Sequence, residues 1–457
     1  MIGATLVRIT QFSAGPSLAR LSAAIVGTLV MLGACEGSAS FVGPEHSKPG
    51  SQNASDAPRI LATVGDPDCK QVDLVGVDPE ARWFAAKFSA CSDGGNRFET
   101  YARSGKRLWF LNTQGSTSRY DAGNPTQLGN QSLPRNAWPL PDGTLLYQVR
   151  AATRESSDGQ PSGEGAVVFH ADILDPLKPG LRGGPIHFPS ASHAIAYGSV
   201  SPSGKTMATV DFEYGRQSKL IPSMPLSVSL HDVGVAQGAF RRFTLSGIRE
   251  KLGLGADEIW WPTLIAWIGN SDLLLVGLRF RGDGNPPRGV LAARMSIKDA
   301  DTLQPVAAWS LAPGDLPADN AGVYYLVASP EGTFATVGSE IQQESGYPVD
   351  VFRIYSSDGT LIKKEAACLA WRIRSEPPCD QRIDGLWWPY FSSDGEHWIA
   401  RRGLGSIEIG SVREARPDRS IPARLFSLDE IRDVGVATGT GDVVVCSKAK
   451  CTLATVF

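Results

Sequence analysis

A short turn motif recurs along this chain at a nearly constant spacing, and this repetition limits the fold more than any other feature. Its two clearest copies are Ser201-Pro202-Ser203-Gly204 and Ser329-Pro330-Glu331-Gly332, each followed by apolar residues. We call the fourth residue of each turn the marker. Counting clear and degenerate copies, the markers are residues 81, 143, 204, 271, 332, 395 and 441. Most markers are 61–67 residues apart. This spacing has room for four short strands with their loops, so the sequence predicts seven four-stranded units.

Composition supports a repeated β architecture. Glycine and proline number 49 and 31 among 457 residues, above their usual combined share of about 12%, whereas helical bundles contain few turn formers. Hydrophobic residues make up 42% of the chain, which is too many for wholesale disorder. The net charge is −3 and no basic run occurs, so the sequence predicts no nucleic-acid partner.

The marker segments resemble the Ser-Pro-Asp-Gly repeats of TolB-type, or WD40-like, β-propellers. The resemblance covers the turn and the start of the next strand in the four clearer copies, and it concerns the fold alone. It implies an all-β chain folded as a single seven-bladed antiparallel β-propeller. The local chemistry agrees, because proline fixes φ at the second turn position and glycine accepts a positive φ at the last.

A ring of sheets has to join its last sheet to its first, because otherwise two strand edges stay exposed. After Gly441 the chain has room for two more strands, and the segment from Arg59 to Val64 has no marker of its own. We therefore expect this segment to supply the outer strand of the seventh sheet, with the propeller spanning residues 59–457. The alternative is six sheets, with the terminal segments forming a separate hairpin.

The N-terminal region resembles the signal peptide of bacterial lipoproteins. Basic residues precede an apolar run from Leu21 to Leu32, which is too short for a membrane span of about 20 residues. The run ends in Leu32-Gly33-Ala34-Cys35, which resembles a lipobox. The resemblance implies that residues 1–34 are removed and that Cys35 becomes the acylated N-terminus, carrying fatty acids such as palmitate. The alternatives are an ordinary signal peptide with a chance cysteine, or a signal anchor.

The residues after the lipobox indicate a location and a linker. Glu36 follows Cys35, whereas Asp at this position signals inner-membrane retention in enterobacterial lipoproteins. The resemblance therefore favours the outer membrane, facing the periplasm, with surface exposure left open. Residues 35–58 are rich in Gly, Ser, Pro and Asn and cannot bury enough apolar surface to fold. They predict a flexible tether with a typical reach of about 25 Å.

The six cysteines beyond Cys35 support export, because an even number is expected where disulfides persist. Six cysteines can form three disulfides in many different ways. The simplest set joins nearest neighbours in the sequence: Cys69–Cys91, Cys368–Cys379 and Cys446–Cys451. A zinc site is the competing interpretation. No two of these cysteines have C-x-x-C spacing and no histidine is near them in the sequence, so we expect disulfides and no metal.

Little helix is expected in this chain. Two similar segments, 244–250 and 427–433, precede the fourth and seventh units, and we expect each to form a helix of one or two turns. Ser427 and Glu430 have the spacing of a capping box, which would place Ser427 at the N-terminus of the second helix.

Catalytic motifs are scarce in the sequence. No Gly-x-Ser-x-Gly elbow, His-Glu-x-x-His motif, calcium loop or glycine-rich phosphate loop occurs. His187 and His193 lie in one loop rich in Pro and Ser, but histidines in this setting are more often structural or solvated than metal ligands. The sequence predicts no catalytic residue, metal or cofactor, and it leans towards a protein that is not an enzyme.

Aromatic residues provide the candidate binding surface. Tyr197, Tyr325 and Trp388 each lie seven residues before a marker glycine, which places them near the start of an innermost strand. Trp-Pro pairs recur, and two of them contain doubled tryptophans. The candidate channel rim, called here the rim aromatics, comprises Trp138, Tyr197, Trp260, Trp261, Tyr325, Trp387 and Trp388. The alternative is that these rings fill the wedges between sheets. In each Trp doublet we expect one ring to be buried and the other exposed, because adjacent strand residues point to opposite faces.

The favoured hypothesis is a non-enzymatic envelope lipoprotein whose propeller binds a protein or peptide, or serves as a scaffold. One alternative is an enzyme, because propellers also serve as lyases, lactonases and quinone-dependent dehydrogenases. An enzyme would need His, Asp, Glu or Arg side chains that converge on the channel. The other alternative is carbohydrate binding by stacking on the rim aromatics.

Overall fold

The structure is a computed structural model of the chain. It describes residues 57–114, 117–120, 136–152, 167–177, 186–187, 193–213, 227–233, 240–244, 248, 250–281, 289–298, 303–312, 322–341, 348–368, 386–414 and 417–456. The predicted signal peptide, Cys35 and all but the last two residues of the predicted tether lie outside these ranges.

Antiparallel strands form most of the described structure, one sheet after another along the chain. After β1 (Arg59–Gly65), sheet 1 contains five strands: β2 (Cys69–Val77), β3 (Trp83–Cys91), β4 (Asn96–Ala102), β5 (Arg107–Gln114) and β6 (Thr117–Tyr120). Sheet 2 contains four: β7 (Asn136–Pro139), β8 (Leu145–Ala152), β9 (Val167–Leu174) and β10 (Ile186–His187). Sheet 3 also contains four: β11 (His193–Val200), β12 (Thr206–Glu213), β13 (Ser227–Asp232) and β14 (Phe240–Thr244).

Four further sheets follow the same plan. Sheet 4 contains β15 (Glu258–Ile268), β16 (Asp272–Arg281), β17 (Gly289–Ile297) and β18 (Leu303–Ala312). Sheet 5 contains β19 (Gly322–Ala328), β20 (Phe334–Ile341), β21 (Pro348–Tyr355) and β22 (Leu361–Cys368). Sheet 6 contains β23 (Leu386–Phe391), β24 (His397–Arg402), β25 (Ser406–Ser411) and β26 (Pro417–Pro422). Sheet 7 contains β27 (Asp433–Val436), β28 (Asp442–Cys446), β29 (Lys450–Thr455) and, at its outer edge, β1.

The seven sheets form a closed ring. β2 contacts β7 of sheet 2, and β11 contacts β9 of that sheet and β15 of sheet 4. The contacts continue from β15 to β19, β23 and β27, and β27 contacts β2. The first strand of each sheet after β1 is therefore the innermost one, and the chain folds as an antiparallel β-propeller. The expectation of four strands per unit fails in sheet 1, where β6 pairs with the outer edge of β5.

Each marker turn joins an innermost strand to the second strand of its sheet, as the repeat predicts. In the best copies the marker glycine donates its N–H to the first turn residue, as Gly204 does to the Ser201 carbonyl at 2.8 Å. A residue with positive φ occurs in all seven turns: Ala81, Gly143, Gly204, Gly269, Gly332, Gly395 and Gly441. In the fourth turn this residue is Gly269, two positions before the predicted marker Ser271.

Ring closure follows the prediction from the chain ends. β1 pairs with β29 from Arg59 opposite Thr455 to Gly65 opposite Lys450. The prediction that the segment from Arg59 to Val64 supplies the outer strand of the last sheet is confirmed, and the terminal segments do not form a separate hairpin. A strand from the N-terminal end thus completes a sheet built from the C-terminal end.

The hydrophobic core lies in the wedges between neighbouring sheets. One buried cluster joins Phe84 and Phe88 of sheet 1 to Val444 and Leu453 of sheet 7. Similar clusters lie between sheets 3 and 4, 4 and 5, 5 and 6, and 6 and 7. Full burial of one such side chain contributes about 1.5–3 kcal/mol, so each sheet depends on its neighbours for stability.

Two of the three predicted disulfides are present. Cys69 and Cys91 lie opposite each other on β2 and β3 with Cα atoms 3.8 Å apart, and Cys446 and Cys451 join β28 to β29 with Cα atoms 4.0 Å apart. In the third pair, Cys368 ends β22, and Cys379 lies outside the described residues. Both disulfides of the described residues are in the two sheets that meet where the ring closes.

The predicted helix at 427–433 is wrong. A short 3-10 helix covers Ala423–Phe426, and Ser427 is its C-terminal cap with φ of 59°. The Ser427 N–H donates to the Arg424 carbonyl at 3.1 Å. Ser427 therefore lies at the C-terminal end of a helix, whereas the capping-box pattern predicted it at the N-terminal end of one. Thr244 ends β14, and most of the other predicted helix lies outside the described residues. Within the described ranges, no helix has the length and apolar character that a membrane span requires.

Candidate binding surface

The rim aromatics all lie in innermost strands. We call the face where these strands begin the mouth, and the face with the marker turns the turn face. The structure places Trp138 in β7, Tyr197 in β11, Trp260 and Trp261 in β15, Tyr325 in β19, and Trp387 and Trp388 in β23. Trp138 differs from the others, because its strand ends at Pro139 and the turn begins at Leu140. It lies at the turn face, away from the mouth.

Burial divides the rim aromatics. Trp138, Trp260 and Tyr325 are only 3%, 7% and 8% exposed, so the wedge-filling alternative describes these three rings. Trp261 is half-buried, and its ring centroid lies 6.0 Å from that of Phe280 on β16. The side chains of Tyr197, Trp387 and Trp388 are outside the described part. Among the described rings of the set, Trp261 is the one that solvent reaches.

A β-bulge decides which ring of the Trp260–Trp261 doublet is buried. The pairing of β15 with β16 shifts between Pro262 and Leu264, so side chains before the bulge change face relative to those after it. Trp260 therefore joins Ile265 and Trp267 in one buried cluster, and the half-buried Trp261 packs against the same cluster. Similar shifts occur in four other innermost strands: β2, β11, β19 and β23.

Aromatic side chains also connect neighbouring sheets through hydrogen bonds. Tyr325 Oη donates to the Pro389 carbonyl at 3.2 Å, and Tyr390 Oη donates to the Val434 carbonyl at 2.8 Å. These two bonds link sheet 5 to sheet 6 and sheet 6 to sheet 7. Such rings combine apolar wedge packing with a polar tip that satisfies the backbone of the next sheet.

The predicted rim aromatics do not include two further tryptophans of this kind. Trp83 Nε1 donates to the Gly143 carbonyl at 2.7 Å, and Trp267 Nε1 donates to the Ser199 carbonyl at 2.9 Å. Both tryptophans lie within two residues of the positive-φ position of a marker turn. A search for aromatic residues that flank the markers would have found them.

A buried carboxylate lies at the start of β27. Asp433 is 8% exposed; its Oδ2 accepts from the Leu74 N–H of sheet 1 at 2.9 Å, and its Oδ1 accepts from the Val434 N–H at 3.0 Å. Burial raises the pKa of Asp433 to about 6, although the Leu74 amide and the charge of Arg401 oppose the shift. Burial likewise lowers the pKa of Arg401 to about 10.

The remaining polar groups near Asp433 are used in structural contacts. Burial raises the pKa values of Tyr325 and Tyr390 above their usual value of 10, so both hydroxyls stay protonated donors. Arg401 Nη1 donates to the Arg432 carbonyl. Beside them is a narrow crevice formed by Leu74, Val75, Gly76, Val77, Tyr390, Gly435 and Val436.

Metal binding finds no support in the described ranges, where no group of three or more His, Cys, Asp or Glu side chains is placed to hold an ion. His187 is in β10 and His193 begins β11. These two strands belong to different sheets, and the histidine side chains are outside the described part.

Comparisons with known proteins give structural likenesses and no family. No protein-family model matches the sequence, and no curated protein matches it. Among solved structures, the C-terminal WD40 domain of Sif2 matches 88% of this chain and 98% of its own, with 10% identity and a TM-score of 0.41. The β-propeller domain of Cps50 (Swd1) from Myceliophteria thermophila matches 88% of this chain and 100% of its own, with 10% identity and a TM-score of 0.45. The assignment of the fold therefore rests on the strand pairing and not on these likenesses.

Proposed function

We propose that this protein is an exported, lipid-anchored β-propeller that binds an envelope protein or peptide at its mouth and is not an enzyme. The observation that carries the proposal is the use of the polar groups of the innermost strands. Tyr325, Tyr390 and Asp433 each hydrogen-bond to the backbone of a neighbouring sheet. A catalytic group must reach a substrate atom, whereas these groups are committed to holding the ring together.

Export is supported by the disulfides. Cys69–Cys91 and Cys446–Cys451 join cross-strand neighbours, and such bonds persist in the periplasm and on cell surfaces but are rare in the cytosol. Together with the lipobox-like segment before Cys35, they favour an envelope location, for which we propose the periplasmic face of the outer membrane.

Metabolic labelling with tritiated palmitate in a Gram-negative host tests the anchor. We expect label in the wild type and in the matched tether variant Ser38→Ala, and none in Cys35→Ser. Separation of the inner and outer membranes on a density gradient then tests the location. Label that persists in Cys35→Ser, or no label in the wild type, would overturn the anchor.

Photo-crosslinking in cells tests the binding role. A photoreactive amino acid replaces Trp261, the half-buried ring in β15, and in a control strain it replaces Lys205, which is exposed at the turn face. We expect a discrete polypeptide adduct from position 261 and none of that mass from position 205. Equal adducts from both positions, or none from 261, would contradict binding at the mouth. An adduct with a glycan would favour the carbohydrate alternative instead.

A further inference from the structure

Exposed cations surround the place where the N-terminal strand joins the ring. The register of sheet 7 puts Arg59 opposite Thr455, and Thr455 opposite Asp442 on the next strand. Since neighbouring strands lie about 4.8 Å apart, the backbones of Arg59 and Asp442 are about 10 Å apart. Arg103 of sheet 1 donates from Nη2 to Asp442 Oδ2 at 2.7 Å. Arg59 and Arg103 therefore share one level of the turn face.

Lys106 belongs to the same surface. It follows Gly105 in the hairpin between β4 and β5, and a Cβ at Gly105 would lie 3.1 Å from the Ala62 Cβ and 3.6 Å from the Val64 Cγ1 of β1. The hairpin of sheet 1 thus packs against the strand that begins with Arg59. Both Arg59 and Lys106 are exposed.

The acidic partners of this surface lie mainly beneath it. Arg103 and Arg107 expose 48% and 51% of their side chains, whereas Asp442 and Glu99, the carboxylates that they contact, are each 1% exposed. Glu80, an exposed carboxylate that lies against Gly439, borders the surface. The partner carboxylates of Arg103 and Arg107 are thus buried, and the exposed charge of this surface is mainly basic.

An apolar side chain accompanies these cations. Ile60, next to Arg59, is 41% exposed, although most large apolar side chains of the described residues are buried. Basic residues beside an exposed apolar side chain are typical of contact with an anionic membrane surface. We call the group Arg59, Ile60, Arg103, Lys106 and Arg107 the junction patch.

We propose that the junction patch binds anionic lipid headgroups and orients the propeller with its turn face towards the membrane and its mouth away from it. This inference rests on the proposed lipid anchor, because β1 directly follows the predicted tether. An acylated Cys35 would hold the patch within reach of the headgroups, where screened attraction between basic side chains and anionic lipid is effective over about 10 Å. The mouth would then remain accessible to a partner.

Lysine acetylation on vesicles tests this orientation. The full acylated protein is placed in vesicles of phosphatidylcholine alone, or of phosphatidylcholine with phosphatidylglycerol, and the acetylation rate of each lysine is followed by mass spectrometry. We expect Lys106 to react several-fold more slowly in the anionic vesicles, with the protection lost at high salt. Lys70 and Lys448, exposed at the mouth, should keep their rates.

Charge reversal provides the matched comparison. Arg59→Glu should remove most of the protection of Lys106, whereas Arg413→Glu, the same change at an 81% exposed arginine in the loop after β25, should keep it. Unchanged rates at Lys70 and Lys448 show that the variant ring is folded. Equal Lys106 rates in both vesicle types would overturn the proposal, and protection by inorganic phosphate without vesicles would assign the patch to free anions instead. A protein without the lipid anchor would give a different result, because it would not bind to vesicles of phosphatidylcholine alone.

Discussion

The carboxylate of Asp433 accepts a hydrogen bond from the backbone N–H of Leu74 at 2.9 Å, across the junction of the last sheet with the first. Among the described residues, the titratable groups that interact with it are Arg401, Asp73, Tyr325 and Tyr390. A buried carboxyl group therefore helps to close the ring, and the stability of the ring should depend on its protonation.

We expect the wild type to lose stability relative to Asp433→Asn as the pH rises. The pKa of about 6 in the folded protein lies above the ordinary 3.8, so the folded state binds this proton more tightly than the unfolded chain does. The stabilisation is full below pH 3.8 and is lost as the pH rises through 6, a change of about 3 kcal/mol. Urea unfolding of both proteins across this range measures it, and a constant difference would contradict the buried titration.

Tyr390→Phe should lower the free energy of unfolding by about 1–3 kcal/mol, because the buried Val434 carbonyl loses a donor. Tyr325→Phe should do the same to the Pro389 carbonyl. The two hydroxyls interact with each other, so we expect the double variant to deviate from additivity by at least about 0.5 kcal/mol. Strict additivity in urea unfolding would show that they act separately.

Two glycines with positive φ provide a matched pair of substitutions. Gly253 has φ of 63° and a Cβ there would meet nothing within 4 Å, whereas a Cβ at Gly359, with φ of 84°, would lie 2.3 Å from Trp309 Cδ1. Gly253→Ala should cost about 1–2 kcal/mol of backbone strain, and Gly359→Ala should cost that and about 1–3 kcal/mol of overpacking. Thermal unfolding compares them, and equal losses would argue against the contact with Trp309.

Removal of either of the two described disulfides should destabilise the protein, but to different extents. Cys69–Cys91 closes a loop with a sequence separation of 22, and Cys446–Cys451 one with a separation of 5. In the chain-entropy description their loss costs about 3.4 and about 2 kcal/mol. Unfolding of the paired Cys→Ser variants under oxidising conditions measures this difference. A larger loss for the shorter loop would show that native packing, and not loop closure, sets the cost.

The repeat, the ring closure and two cysteine pairings could be predicted because each depends on local sequence or on simple counting. A turn that ends in Gly204 or Gly332 needs a positive φ wherever it occurs in the fold. The pairing of the strand at Arg59 with the last sheet follows from counting strands, because the chain after Gly441 has room for only two more.

The side-chain environments could not be predicted in the same way. Trp260 is buried and Trp261 is half-buried because a bulge at Pro262–Leu264 changes the alternation. Pro262 inside the strand is a signal for such a bulge, but it does not indicate which of the two rings becomes buried. Ser427 followed the pattern of a helix start, but the preceding Ala423–Phe426 segment packs Phe426 into the core and leaves Ser427 at its end. The role of Asp433 could not be predicted from the residues around it, because its hydrogen-bond partner Leu74 is distant in the sequence.

The pairing of β1 with β29 also determines when the fold can be finished. A chain emerges N-terminus first from the ribosome or a translocation channel, so Arg59 appears long before its partner Thr455. Pairings between such distant residues are slow to form, and β1 has no sheet to join until β27, β28 and β29 have appeared. The emerging protein therefore cannot close its ring until its last strand is released.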